Sequence, residues 1–444
     1  MKRYQPYPKY KDSGVEWLGE IPAKWNTIRI KDIALINPDV LSENTPSDFE
    51  MLYIDIGNVD SLGNILNQEP LTFGKAPSRA RRQVKRGDVI VSTVRTYLHA
   101  IAPIQDHDKN LVVSTGFAVI RPLEGFSPSY AAYSMRAQYF VDAVVAYSEG
   151  VSYPAINESE MASFRIVIPP ENEQNMIAAF LDRETVKIDA LISKKEHFIE
   201  LLKEKRTALI SHTVTKGLDP NVPMKDSSVE WLGKIPRHWK VIRLKYDAPL
   251  QGGYAYKCDA FQIDGVPVVR MNNLRRGLLD LTEAARISPI ECIEAFSLNE
   301  GDLLIGLSGS IGQTGRLGNY AIVRLEDLPC QLNQRVGRFQ LSGKLQSDFL
   351  CFFIAAAPFT ESMIADSTGT AQFNISPDSV GEVALGLPLV DEQRAIVTYL
   401  DLETARIDSL IAKGREAIDR LKEYRTALIS AAVTGKIDVG EETP

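Results

Sequence analysis

The sequence predicts a mixed α/β (α+β) protein written twice. Two globular domains with largely antiparallel sheets are joined by two long antiparallel coiled-coil helices, related by a pseudo-two-fold internal repeat. Three observations carry this expectation. VEWLGEIPAKW at 15–25 returns as VEWLGKIPRHW at 229–239, with eight of eleven positions identical. ENEQNMIAAFLDRETVKIDALISKKEHFIELLKEKRTALISHTVT at 171–215 returns at 390–434 with 24 of 45 positions identical. The offsets are 214 and 219 residues, and two copies of so long a period make a pseudo-dimer rather than a solenoid. Third, the segments ahead of each helix are short apolar runs broken by Gly, Pro and Asn, the pattern of a sheet domain.

The elements follow in chain order. In the first globular domain, 1–170, GDVIVS (87–92) and FAVIRP (117–122) read as buried strands, and YAAYSMRAQYFVDAVVAY (130–147) as helical. The first helical segment, 171–218, starts after Pro169 and Pro170, with Glu171 and Glu173 suited to a helix N-terminus and Gly217 to its stop. Its apolar seam is Leu181, Ile188, Leu191, Phe198, Leu202 and Leu209. The second globular domain, 219–388, repeats the strand pair as GDLLIG (301–306) and RVGRFQL (335–341). The second helical segment, 389–444, has Asp391 as N-cap after Pro388 and Gly435 as stop. Its seam is Leu400, Ile407, Leu410, Ala417, Leu421 and Leu428, near-heptad steps interrupted, as in the first helix, by Glu184, Lys195, Glu403 and Gly414. A helix of about 43 residues is about 65 Å long, and its exposed stripe is relieved by packing on the other helix. Thr185, Asp189, Thr404 and Asp408 are polar positions kept on both helices, and they are read as a repeated docking face for a partner.

Composition narrows the function. The 444 residues are 44% hydrophobic and 24% charged, ordinary for a folded globular chain. No run of about eighteen apolar residues occurs, so no membrane partner is expected. Cys258, Cys292, Cys330 and Cys351 form no C-x-x-C pair, which fits a reducing, cytoplasmic setting without a zinc site. Net charge is −7, yet Arg79, Arg81, Arg82, Lys85 and Arg86 form a run without an acid among them. Such a run suits phosphate contacts.

The two halves match unevenly. KAPSRARRQVKRGD (75–88) is basic where SPIECIEAFSLNEGD (288–302) is acidic, and IGNVDSLGNILNQEP (56–70) shares little with MNNLRRGLLDLTEA (271–284). One frame with two unlike surfaces suggests two related sites reading different targets. Base edges are read by Arg, Asn, Gln, Ser and Thr on loops. The candidates in the first half are Asn58, Arg95, Thr96 and Tyr97. Those in the second are Arg270, Asn272, Asn273, Arg275, Arg276, Ser308, Ser310, Gln313, Arg316, Gln331, Asn333 and Arg335. Catalytic motifs are missing: there is no G-x-x-x-x-G-K-[ST] loop, no pair of histidines at metal-ligand spacing, and no Asn/Asp-Pro-Pro-aromatic stretch of the kind an adenine methyltransferase uses. No catalytic residue and no metal ligand is expected.

Together these residues resemble the specificity subunit of type I restriction–modification systems, over nearly the whole chain. WLGEIPAKW and WLGKIPRHW resemble the opening of each target-recognition domain. GDLLIGLSGSIGQTG and STGTAQFNIS (367–376) resemble its strand-and-loop segments. The two long helices, ending in LKEKRTALIS and LKEYRTALIS, resemble its conserved helical regions. The first copy departs at SEGVSYPAINES (148–159), where Tyr-Pro-Ala stands against Gln-Phe-Asn. The resemblance implies that each domain reads half of a bipartite, asymmetric site in double-stranded DNA, and that the helices recruit two adenine methyltransferase subunits. Two restriction subunits can join. This chain would hold no cofactor; S-adenosylmethionine would sit on the methyltransferase, ATP and Mg on the restriction partner. Three alternatives remain: a non-catalytic coiled-coil interaction scaffold, a nuclease with an unseen site, and the specificity module of another restriction enzyme type.

Overall fold

Each tryptophan stretch folds where the start of one long helix meets the end of the other. The computed structural model describes residues 4–105, 110–150, 154–275, 277–309, 318–365 and 373–440. The chain forms two compact units, one made of Met1–Glu196 with Arg415–Pro444, the other of His197–Gly414. The long helices are Glu171–Lys216 and Val390–Val433. Each passes from one unit to the other, so each unit holds one globular part and half of each helix.

In the first unit, the Trp25 indole N–H donates to Glu173 at the helix start, at 2.7 Å. Gly435, at φ +71°, ends the second helix against the same ring. A Cβ there would lie 2.3 Å from Pro22, so only glycine lets helix end and tryptophan meet. In the second unit Gly217 ends the first helix beside Trp239, and Glu392 pairs instead with His238 at 2.8 Å. Among the described residues the Trp239 indole N–H has no partner, although the ring is fully buried. Asp391 is not the N-cap expected of it. The helix already begins at Val390, which puts that carboxylate in the first turn, where it faces the positive end of the helix dipole.

Within each unit the two helix halves run antiparallel. In the first, Met176 lies by Gly440 and Asp189 by Arg425. In the second, Ile199 packs on Gly414, Arg206 pairs with Asp408, and Gly217 neighbours Glu392. The buried seam is Leu181, Ile188, Ile192, Ile199 and Leu202 with Leu400, Ile407, Ile411, Ile418 and Leu428. Leu191, Phe198 and Leu410 were expected there, but they stand outside it, about half exposed. The adjacent isoleucines take the inward positions. Gly414, an interruption in the sequence pattern, is a close-approach site: a Cβ would press on Ile199 at 3.1 Å.

The globular parts are built alike. In the first unit one four-stranded sheet orders Ala34–Ile36, Phe117–Pro122, Val89–Ser92 and Ile101–Pro103, all antiparallel. The other orders Glu69–Thr72, Glu50–Ile54, Leu111–Ser114 and Ala80–Gln83. The second unit repeats both, as Leu250–Gly252, Val336–Phe339, Leu303–Gly306 and Tyr320–Ile322, and as Phe261–Gln262, Arg286–Ile287, Val266–Val269 and Gln331–Leu332. The sheets are antiparallel except for one pair in each unit: Leu111–Ser114 runs parallel to Glu50–Ile54, and Gln331–Leu332 parallel to Val266–Val269. The aspartates of both GD strands are tied to an arginine on the neighbouring strand. Asp88 binds Arg121 at 2.7 Å, and Asp302 binds Arg338 at 3.1 Å.

A broken helix backs each part: Pro128–Arg136 then Gln138–Ala146, and Ser347–Ala355 then Ala357–Ala365. Among the described residues no single helix is long and apolar enough to cross a membrane. The bent pair at 347–364 comes nearest, and its Phe349, Leu350, Phe353 and Phe359 are core.

Candidate nucleic-acid interface

Three loops converge at one end of the paired sheets in each unit. In the first these are the turn Asp55–Asn58, the strand exit 93–99 and the hairpin turn at Thr115–Gly116. Thr93 N–H donates to Gly116 C=O at 2.8 Å, and Thr115 N–H to Arg79 C=O at 2.8 Å. Ile56 and Val94 close on Gly116 so tightly that a Cβ there would lie 2.6 Å and 3.0 Å from them. In the second unit the same three places hold Arg270–Asn273, Leu307–Gly309 and Asn333–Arg335. Leu307 N–H donates to Arg335 C=O at 3.0 Å, and Asn333 N–H to Val269 C=O at 3.2 Å. Homologous frames thus present unlike side chains at one place, which is what reading two different sequences requires.

The basic run does not form one patch. Acids absent from the run in sequence reach it in space. Arg79 is held by Asp55 and by the Tyr53 hydroxyl, and these contacts raise its pKa, the Tyr53 bond first. Arg82 is nearly buried against Glu158 and the Phe117 carbonyl. Lys85 pairs with Asp39 at 2.8 Å, and the bonds from Lys85 and Arg121 hold that carboxyl below the usual range. Arg81 lies over the Phe73 ring at 4.6 Å. Arg86 is exposed in the turn before the strand Val89–Ser92, away from the three loops. Of the expected phosphate-binding run, Arg82 is thus committed to the fold, while Arg79 and Lys85 stay exposed in surface ion pairs.

Several expected base readers are likewise turned inward. Asn58 accepts the Asp55 N–H at 2.9 Å and so closes its own turn. Asn273, its equivalent, accepts the Arg270 N–H and donates to Asp280 C=O, and it is buried. Thr96 is buried, its hydroxyl 2.9 Å from that of Ser148. Ser308 is buried beside Met271 and Arg335. Gln331 is buried with every polar atom used, by Tyr256, Ile293 N–H and Ser297. Thr96, Asn273, Ser308 and Gln331 are buried in building the loops, while the half-buried Asn58 commits its Oδ1 to its own turn. Arg95, Tyr97, Arg275 and Arg335 are exposed, while Arg270, Asn272 and Asn333 are half-buried. Arg275 faces Asp280 at 3.5 Å, and Arg270 covers the Phe261 ring at 4.3 Å. Arg276, Ser310, Gln313 and Arg316 lie outside the described residues, as does most of STGTAQFNIS. Within the divergent segment, Ala155 bridges to Val94 at the first strand exit and to Glu149 of the segment itself.

The four polar positions shared by the long helices have an internal use. Thr185 and Thr404 are buried and donate to the carbonyls of Leu181 and Leu400, each at 2.7 Å. Asp189 pairs with Arg425 at 3.0 Å, and Asp408 with Arg206 at 3.1 Å. The docking reading of Thr185 and Thr404 is corrected by their burial. Asp189 and Asp408 explain why RTALIS recurs, since its arginine is their partner.

A pair that sequence reasoning missed is Gln174 and Gln393, both buried. Gln174 accepts Ser127 N–H and donates to Gly125 and Pro169 C=O, at 2.9–3.0 Å. Gln393 does the same with Gln346, Lys344 and Pro388. Each clamps a long helix to its globular part, and the repeated E-Q of NEQ and DEQ was the available signal. Among the described residues no group of three or more His, Cys, Asp or Glu could hold a metal ion.

The chain matches, in two copies over 22–201 and 236–419, the family model described as type I restriction modification DNA specificity domain. It is 27% identical over 296 residues to the type I restriction enzyme MjaVIII specificity subunit of Methanocaldococcus jannaschii, covering 66% of each chain. It is 25% identical over 209 residues to the EcoKI specificity subunit of Escherichia coli K12, covering 46% of this chain and 44% of that one. The chain thus spans about two thirds or less of the length of these relatives. Against the putative MjaX specificity subunit, also of M. jannaschii, identity is 23% with 95% and 96% covered. The fold is shared with the HsdS subunit from Thermoanaerobacter tengcongensis, at TM-score 0.55 and 20% identity, with 94% and 98% covered. It is also shared, at TM-score 0.74 and 21% identity with 94% and 99% covered, with a chain from a study of complex assembly and conformational transition of the type I R-M system.

Proposed function

Since the chain belongs to the type I restriction modification DNA specificity domain family, we propose that it is the DNA-reading subunit of such a system. Each globular part reads one half of a bipartite, asymmetric site in double-stranded DNA. The observation that carries this is the three-loop end, built twice on one hydrogen-bonded frame and furnished with unlike side chains. Phosphate contacts place such a protein on the duplex, and loop side chains distinguish bases.

The chain does no chemistry itself and holds no cofactor. Two adenine methyltransferase subunits, bearing S-adenosylmethionine, flip and methylate one adenine in each half-site. Restriction subunits with ATP and Mg join the same assembly, which works in the cytoplasm. The repeat supports two-fold recruitment, because equivalent helix surfaces can hold two copies of one partner. The two half-sites are expected about one DNA turn apart.

The test is a genome-wide map of N6-methyladenine in the host with and without this gene. Deletion is expected to erase one bipartite motif and leave all others. A map unchanged by deletion in a host whose methyltransferase is expressed would overturn the reading.

A further inference from the structure

One loop of the first interface is built under strain. The strand Val89–Ser92 leads into a single 3-10 turn, Thr96–Leu98, flanked by Arg95 and His99. Both flanking residues sit in the left-handed region at φ +51°, and neither is glycine. Such backbone persists only where its surroundings over-determine it, and it gathers at binding sites.

Here the surroundings are explicit. Arg95 N–H donates to Pro154 C=O at 2.8 Å, and Leu98 N–H to Arg95 C=O at 2.9 Å. Thr96 points inward to Ser148, whose hydroxyl is bonded in turn to Val144 C=O at 2.6 Å. The polar residue of the turn is buried and its aromatic is turned out: Tyr97 is 54% exposed. The loop that carries the turn meets the hairpin at Thr115–Gly116 through the Thr93 N–H, which donates to Gly116 C=O at 2.8 Å, so Tyr97 belongs to the three-loop end. The charged neighbours there are partly spent, Arg79 on Asp55 and Arg82 on Glu158.

Resting on the DNA-reading function proposed above, we propose that Tyr97 is a specificity-determining residue of the first recognition domain, its ring held by the strained turn against base edges of one half-site. A ring on a fixed turn loses little freedom on binding, which suits it to discriminate by close contact.

The test uses the full chain assembled with its methyltransferase partner, on duplexes randomised in one half-site at a time. Methylated products are sequenced, and melting is measured on each variant. Tyr97→Ala is expected to relax selection about tenfold or more at one or two adjacent base pairs of one half-site. The other half-site keeps its sequence and the melting temperature stays that of the wild type. Tyr97→Phe keeps the ring and most of the selection. An alanine variant that selects the wild-type sequence in both halves overturns the proposal. So does one that loses both halves together, since that is the mark of a general structural defect. Failure of the underlying DNA reading looks different, because the unmutated assembly would then select no sequence at all.

Discussion

At the scale of the residue, the sequence names residue types and the fold decides whether they are spent. Asn273, Ser308 and Gln331 are the types that read bases, yet their polar atoms close turns and strands. Nothing in a sequence separates an amide that faces solvent from one that satisfies three backbone or side-chain groups. Gln174 and Gln393 make the point in reverse: two glutamines outside any recognised motif are buried, and each holds three contacts. Replacing either by alanine strands one buried carbonyl, that of Pro169 or Pro388, and leaves a half-buried N–H without its acceptor, at about 1–3 kcal/mol for the unsatisfied groups. Urea unfolding is expected to show Gln174→Ala and Gln393→Ala destabilised by that amount each. Exposed Gln340→Ala, which loses one contact at 3.1 Å to Gln251, serves as the comparison, expected to shift stability by less than about 0.5 kcal/mol. Equal losses in all three would mean that the clamps carry no special weight.

At the scale of the element, helix existence and extent were legible because caps and period agree over more than forty residues. The expected segments 171–218 and 389–444 contain helices Glu171–Lys216 and Val390–Val433. The facing seam was legible only to within one residue. Leu191 and Ile192 are both apolar, and only the partner helix decides which turns inward. Loop readers were the least legible, since acids distant in sequence, Asp55, Glu158 and Asp39, quench the basic run. The helix ends allow a sharp test. Gly435→Ala forces a side chain into left-handed backbone and drives a Cβ into Pro22 and Trp25, with strain and overpacking together costing about 2–5 kcal/mol. Gly343→Ala has similar backbone, at φ +85°, but open space around it, so it should cost only about 1–2 kcal/mol. Thermal melting of the two variants should separate them by several degrees. If they melt together, the junction of helix end and tryptophan is not tightly packed.

At the scale of the whole molecule, the charge balance bears on how DNA is held. The chain carries 50 basic and 57 acidic residues, and its conspicuous basic run is largely paired off internally. DNA affinity from backbone contacts grows with the number of phosphates neutralised, and its salt dependence reports that number. A reader whose basic run is largely paired off can still discriminate through shape and base edges, because specificity is a difference between affinities. It then needs another source of attraction. On the proposed function, partner subunits closing on the duplex would supply the phosphate contacts. The isolated chain is therefore expected to bind its site weakly and with a shallow dependence on salt. The assembly with methyltransferase should bind tightly and with a steep one. Titrations of both on the same duplex between 50 and about 200 mM salt decide it. Equal affinity and equal slope would place the phosphate contacts on this chain after all.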